Sequence, residues 1–310
     1  MDNSIIVRTI VPIFLLMGIG YISRRISILR AGDERVLNSY VYYFALPALF
    51  TVDLAETSFT RQNLNFILAG ILPVLIVTIL FLLLYLIFRF SRDTLYILIL
   101  TTVFGSLGFF GIPFVMFAFP GQESESLATL SAATISAFSV AISIGVLEFY
   151  RLGKVNLREG TRHIAQRLSR NPLILSILVG VFFSLMGIAL PVPLSKTLHM
   201  LGSTTATVAI FLLGVFLYGR TYRNIATAAR LSLLRMVLLP IIALGVAHLM
   251  GLPGLQRTTV VLMHGMPIAI SMIVLSERYD FQKETIASLV LLSSLSAGIY
   301  LNVWLVLLGL

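Results

Sequence analysis

The sequence predicts an all-α membrane protein of ten transmembrane helices in an inverted 5+5 repeat, with helices 4 and 9 broken in mid-membrane. Three observations predict it. Hydrophobic residues make up 58% of the 310-residue chain and charged residues 11%, and mean hydropathy is +0.99, whereas soluble domains carry about 25% charged residues. Apolar runs long enough to cross a hydrocarbon core of roughly 30 Å recur along the whole length. Two of these runs, in corresponding places of the two halves, carry Gly-x-Pro at their centres.

The spans are expected at 5–23, 35–53, 64–88, 94–119, 126–149, 172–190, 194–218, 229–250, 256–276 and 285–309. The opening "MDNSIIVRTI" lacks the charged n-region and small-residue cleavage site of a signal peptide, so the first apolar run is expected to be the first span. Of the 22 Lys and Arg, all but Arg8, Arg61, Lys196, Arg235 and Arg257 fall in alternate connections, at 24–35, 89–93, 150–171, 219–230 and 277–284. The positive-inside rule then places both termini outside. The net charge of +9 is accounted for by these loops, and no nucleic-acid partner is expected. The division is 1–150 for the first five-helix repeat, 151–171 for a basic cytoplasmic loop with a short surface helix, and 172–310 for the second repeat. With no Cys in the chain, disulfides and catalytic thiols are excluded.

An odd number of spans per half inverts the second half, a pattern that marks many transporters. The prolines carry the symmetry. Pro12 opens span 1 and Pro172 span 6, while Pro73 lies in span 3 and Pro240 in span 8. Span 4 holds Gly111-Ile112-Pro113 and span 9 holds Gly265-Met266-Pro267. A mid-helix proline costs about 3 kcal/mol in water and frees a carbonyl four residues back, here that of Phe109 or Met263. In lipid such groups must face protein or a water-filled cavity. Second half-helices are expected to start near Pro113 and Pro267, with unpaired N–H groups and about half a positive charge each. Running in opposite directions, the two starts can meet at the midplane. They would form an anion cradle that uses no buried Lys or Arg.

His264 is the ionisable side chain most suited to a functional role inside the spans, because imidazole can be buried neutral. Ser106 and Ser271 lie in the two broken regions and can donate to a carboxylate. Asp53 and Glu56 are expected to be solvated at the outer end of span 2, and Glu148 to pair with Arg151 at the inner end of span 5. The aromatics of "YVYYFALPALF" read as an interfacial belt, with Tyr43 or Phe44 as alternatives for lining a cavity. No H-E-x-x-H, G-x-S-x-G or P-loop occurs, and the four histidines lack metal-ligand spacing. No enzyme activity, cofactor or metal is expected.

These segments carry a resemblance. "FALPALF", "FGSLGFFGIPF" and "MPIAISMIVLSERYD", in that order, resemble the span-2 signature and the two crossovers of the auxin efflux carrier family, in a bacterial member. The plant branch of that family is the PIN auxin carriers, and the bile acid/sodium symporters share the architecture. The resemblance implies a scaffold of spans 1, 2, 6 and 7 and a moving domain in which spans 4 and 9 cross. It also implies transport of small organic anions, often by dimers. Pro113 and Pro267 would be the crossover prolines. Ser106 would stand where the family has asparagine, and Ser271 departs from an asparagine frequent in bacterial members.

The expected function is therefore a secondary transporter, a carrier of efflux type, that moves a small organic anion or carboxylate by alternating access. Ser106, Phe110, Ile112, Pro113, His264, Met266, Pro267 and Ser271 would bind the substrate, and His264 would carry a coupling proton. The expected setting is the bilayer of a bacterial inner membrane, with a homodimer as the assembly. A sodium-coupled symporter is the alternative within transport, but no Asp or Glu lies within several residues of Pro113 or Pro267. A non-transporting membrane sensor is the alternative outside it.

Overall fold

A computed structural model describes residues 3–57, 60–152, 157–219 and 222–309. Residues 153–156 and 220–221, parts of two of the basic connections, lie outside the described residues. The first half runs through α1 (Asn3–Arg25), α2 (Asp33–Tyr40), α3 (Leu46–Glu56), α4 (Arg61–Phe88), α5 (Arg92–Val103), α6 (Ile112–Ala118) and α7 (Gln122–Leu152). An amphipathic connection, α8 (Leu157–Leu168), follows. The second half holds α9 (Pro172–Leu185), α10 (Val192–Leu217), α11 (Ile225–Leu233), α12 (Leu239–Leu249), α13 (Gly254–His264), α14 (Ser271–Tyr279) and α15 (Lys283–Leu307). Among the described residues, five continuous helical stretches are long and apolar enough to cross a bilayer: Asn63–Phe88, Gln122–Arg151, Val192–Leu217, Ile225–Leu249 and Lys283–Leu307.

Local chemistry explains where several helices start. Ser91 Oγ accepts from the Thr94 N–H at the head of α5, and Thr60 caps α4 in the same way. Asn171 Oδ1 accepts from Leu173 and Ile174, with Pro172 in the first turn of α9. These side chains satisfy N–H groups that have no partner inside the helix.

Three prolines lie beside a widened turn instead of a break. π-helical turns span Val41–Ala45, Leu107–Gly111 and Leu234–Leu238. Each ends two residues before a proline: Pro47, Pro113 and Pro240. In each case the N–H just before the proline reaches back five residues, from Leu46 to Val41, from Ile112 to Leu107 and from Leu239 to Leu234. The wider turn makes room for the ring and keeps the chain helical. Pro113 is thus inside a continuous helical segment, Leu107–Ala118, and no half-helix starts there.

The most extensive packing pairs α1 with α10 and α3 with α9, and α10 also packs on α3. These helices lie in the segments expected as spans 1, 2, 6 and 7. Elsewhere α4 packs on α5, α7 and α12, α13 on α7 and α12, and α11 and α14 on α15. α8 folds back onto α7, which corrects the expected partner of Glu148. Arg167 Nε of α8, not Arg151, sits 2.6 Å from Glu148 Oε1. The Tyr279 hydroxyl donates to the same oxygen at 2.6 Å. Glu148 faces inward and is buried, while Arg151, three positions on, is exposed. Glu56 accepts from Ser195 Oγ at 2.9 Å and lies 3.3 Å from His199 Nε2. With Asp53 and Glu125 it lines an open cavity of about 460 Å³.

Candidate site at the crossing of two interrupted helices

Span 4 leaves the helical conformation at Phe104 (φ −91°, ψ 76°) and Ser106 (φ −79°, ψ 59°). Span 9 is interrupted between His264 and Ser271. The two interruptions pair with each other. The Ser106 N–H donates to the Pro267 carbonyl at 2.7 Å, and the Ala269 N–H donates to the Phe104 carbonyl at 3.0 Å. Gly105 and Ile268 thereby form an isolated antiparallel bridge. The Ile268 N–H donates to Ser293 Oγ of α15 at 3.1 Å. Backbone groups that lipid could not satisfy are paired with each other across the crossing.

The helical segments that follow the interruptions open with unpaired donors. Phe110 and Gly111 N–H both donate to the Ser106 carbonyl. Leu107, Gly108 and Phe109, the three residues before them, find no acceptor among the described residues. After the second interruption Met272 and Ile273 donate to Ala269 and Ile270, which leaves Ile270 and Ser271 N–H without one. All five residues line a single cavity of about 1010 Å³, together with Gly105, Ser106 and Ala269. The expected starts at Pro113 and Pro267 are corrected to Leu107 and Ser271.

The cavity wall also includes Arg24, Glu34, Arg35, Asn171, Tyr218 and Arg278. These residues lie at the helix ends that adjoin the basic connections. Tyr43 is on its wall, whereas Phe44 is not and is 59% exposed.

The expected site residues divide. Ser106 and Ser271 lie on the cavity wall, on opposite interruptions. Phe110, Ile112, Pro113, Met266 and Pro267 do not. Phe110 stacks on Phe114 with centroids 6.3 Å apart, and Ile112, Pro113 and Met266 are buried in the core. Pro267 contributes its carbonyl to the crossing and not its ring to the cavity. Phe109, one residue before Phe110, is on the wall instead.

His264 is fully buried and is not a cavity residue. Its Nδ1 lies 2.8 Å from the Val260 carbonyl, to which it donates, and its Nε2 makes no hydrogen bond. The imidazole thus caps a carbonyl of its own helix. Replacing His264 by Asn, which keeps a donor near the Nδ1 position, is expected to leave the pH profile of transport unchanged. A profile displaced in that variant would restore the histidine as a coupling group.

Arg235 is the residue that sequence reasoning passed over. It is fully buried in the π-helical turn between α11 and α12. Its Nε donates to the Met266 carbonyl at 2.9 Å, and its Nη1 to the carbonyls of Thr102 at 2.8 Å and Val103 at 3.2 Å. A longer contact of 3.4 Å joins Nη2 to the Met263 carbonyl. One guanidinium therefore spans both interruptions. A buried cation thus lies beside the crossing. A lone arginine inside an apolar run was the available signal, since charges at such depth are functional by default.

Comparison with known proteins points to membrane transport. A family model described as membrane transport protein matches residues 5–305. An uncharacterized transporter of Methanocaldococcus jannaschii is 24% identical over 94% of this chain and 95% of its own length. A putative malonate transporter of Rhizobium meliloti is 24% identical over 92% of this chain and 90% of its own length. The uncharacterized transporter YfdV of Escherichia coli is 24% identical over 89% of both chains. With apolar helices long enough to span a bilayer and a family match over nearly its whole length, this integral membrane protein belongs to the membrane transport protein family, that of the auxin efflux carriers.

Proposed function

We propose that the chain is a secondary transporter that moves a small organic anion by alternating access, with the anion bound at the crossing. The observation that carries this reading is that the residues with unpaired N–H groups on the two interruptions, 107–109 and 270–271, all line one cavity. Unpaired donors at helix starts, each with about half a positive charge, form an anion site. The Ser106 and Ser271 hydroxyls add one donor from each side. Phe109, Leu107 and Leu46 supply apolar wall. The cavity exceeds the volume of a short carboxylic acid, so solvent would share it.

Several features support the mechanism. The pairing of α1 with α10 and α3 with α9 suits a scaffold, and the interrupted helices pack largely on other elements. The ten-span inverted repeat gives the two interruptions their opposed directions. If the basic connections face the cytoplasm, the cavity is open to the cytoplasm and both chain termini lie outside. The Rhizobium meliloti relative makes malonate the first cargo to test.

Uptake into proteoliposomes decides the matter. We expect saturable flux of malonate or another short carboxylate. Removing both hydroxyls, Ser106→Ala with Ser271→Ala, is expected to cut it about 100- to 10,000-fold, because each of the two hydrogen bonds to a charged group contributes about 1.5–3 kcal/mol. The melting temperature should not change. Flux equal to that of empty liposomes for every carboxylate tried would overturn the reading. The same assay with and without a sodium gradient separates sodium coupling from proton coupling or uniport.

A further inference from the structure

Every hydrogen bond of Arg235 goes to a main-chain carbonyl, and those carbonyls share a property. Thr102 and Val103 end α5, Met263 closes α13, and Met266 lies just beyond it. These are the ends at which aligned peptide dipoles leave negative charge. The ion pairs among the described residues do not include Arg235. Its charge is solvated by carbonyls and balanced by no carboxylate.

We infer that Arg235 is the specificity-determining residue of the proposed anion site: its uncompensated charge makes the crossing select a cargo with one negative charge there. This rests on the transport reading above and deepens it. Four half-helix ends meet at the crossing. Two carry about half a negative charge each and two about half a positive charge each, so by themselves they nearly cancel. Such a site would be polar but without preference between a carboxylate and its amide. Arg235 offsets the two negative ends and leaves the positive ends unopposed, with a net charge of about +1 by the same count. One carboxylate completes the balance.

Arg235 need not touch the cargo. The wall residue Gly105 adjoins it, and an added Cβ there would fall on Nη2 of the guanidinium. Across so thin a partition, in a medium much less polarisable than water, a full charge is weakly screened. The planar fork also explains why arginine serves. A single ammonium could carry the charge but could not reach carbonyls of both interruptions at once.

The test measures discrimination, which a merely structural role would not change. Propionate and propionamide compete against labelled malonate, or against whichever carboxylate the wild type carries, in proteoliposomes. The wild-type protein should prefer propionate by about 100-fold. Arg235→Lys should keep that ratio within about threefold while lowering the rate of uptake. Arg235→Gln, uncharged but still a donor, should reduce the ratio at least tenfold and leave inhibition by the amide unchanged. Should Arg235→Gln fail to fold, Thr102→Asp decides. Thr102 is buried, its hydroxyl has no partner among the described residues and its carbonyl accepts from Nη1, so a carboxylate on this residue would set a negative charge near the guanidinium and offset it without removing it. The same tenfold fall is expected. A folded Arg235→Gln or Thr102→Asp protein with the wild-type ratio overturns the inference and leaves anion transport standing. A wild-type protein that carries no carboxylate overturns both.

Discussion

Gly105→Ala will reduce transport at least tenfold while the protein remains folded and inserted. Gly105 sits in the bridge between the two interruptions, opposite Ile268. A methyl group on its Cα would fall on the Arg235 guanidinium, with Nη2, Cζ and Nε all too near. The guanidinium cannot turn aside cheaply, because Nη1 is committed to the Thr102 and Val103 carbonyls and Nε to Met266. Giving up even one such charge-assisted bond costs about 1.5–3 kcal/mol. If the crossing parts instead, the Ser106–Pro267 and Phe104–Ala269 bonds go, and the five residues with unpaired N–H groups no longer line one cavity. Both routes damage the site and spare the pairing of α1 with α10 and α3 with α9. Gly245→Ala is the control, since a Cβ there meets nothing within 4 Å. Uptake at the wild-type rate by Gly105→Ala would show that arginine and glycine are not in close contact in the working protein.

The membrane class and the long helices were legible because lipid acts on local sequence. A segment in hydrocarbon must be apolar and must satisfy its own backbone, so α4, α7, α10 and α15 follow closely from the apolar runs. Positions of prolines were legible too, but not their consequences. Whether a proline breaks a helix or is absorbed by a π-helical turn depends on what surrounds it. Pro113 falls in the second category, and the break in span 4 lies some seven residues earlier. There Gly105 admits a guanidinium from a helix more than a hundred residues away, a tertiary event with no local signature. Arg235 was hard to place for a related reason. Its partners are carbonyls, which every residue has, so no complementary side chain advertises the contact. The serines were easier, since a hydroxyl in a break has few other uses. The apolar candidates were not: Phe110 and Ile112 share a helical turn with the wall residues Leu107 to Phe109 but point into the core, and only the rotation of the helix separates the two sets. Glu148 repeats the lesson. Its helical neighbour Arg151 was the obvious partner, and a returning amphipathic helix supplied Arg167 instead.

Gly214→Val is expected to have the largest effect on folding. α1 and α10 meet backbone to backbone. A Cβ on Gly214 would fall on the Met17 carbonyl oxygen, and one on Gly20 would fall on that of Phe211. The two glycines thus face each other's helices and set their separation, the close approach through small residues that holds helices together where no hydrophobic driving force acts between them. Overpacking a core typically costs about 1–3 kcal/mol when side chains can shift. Main-chain atoms cannot change rotamer, so here the helices must move apart, and contacts along the whole pair weaken together. The expected result is a melting temperature several degrees lower in detergent, or loss of the folded monodisperse peak. Gly18→Ala, on the same helix but with open space around its Cβ, should be neutral or slightly stabilising, because alanine favours a helix over glycine by about 0.5–1 kcal/mol. A Gly214→Val protein that melts with the wild type would mean that α1 and α10 stand farther apart than this. The pairing would then be too loose to serve as the scaffold that the proposed mechanism requires.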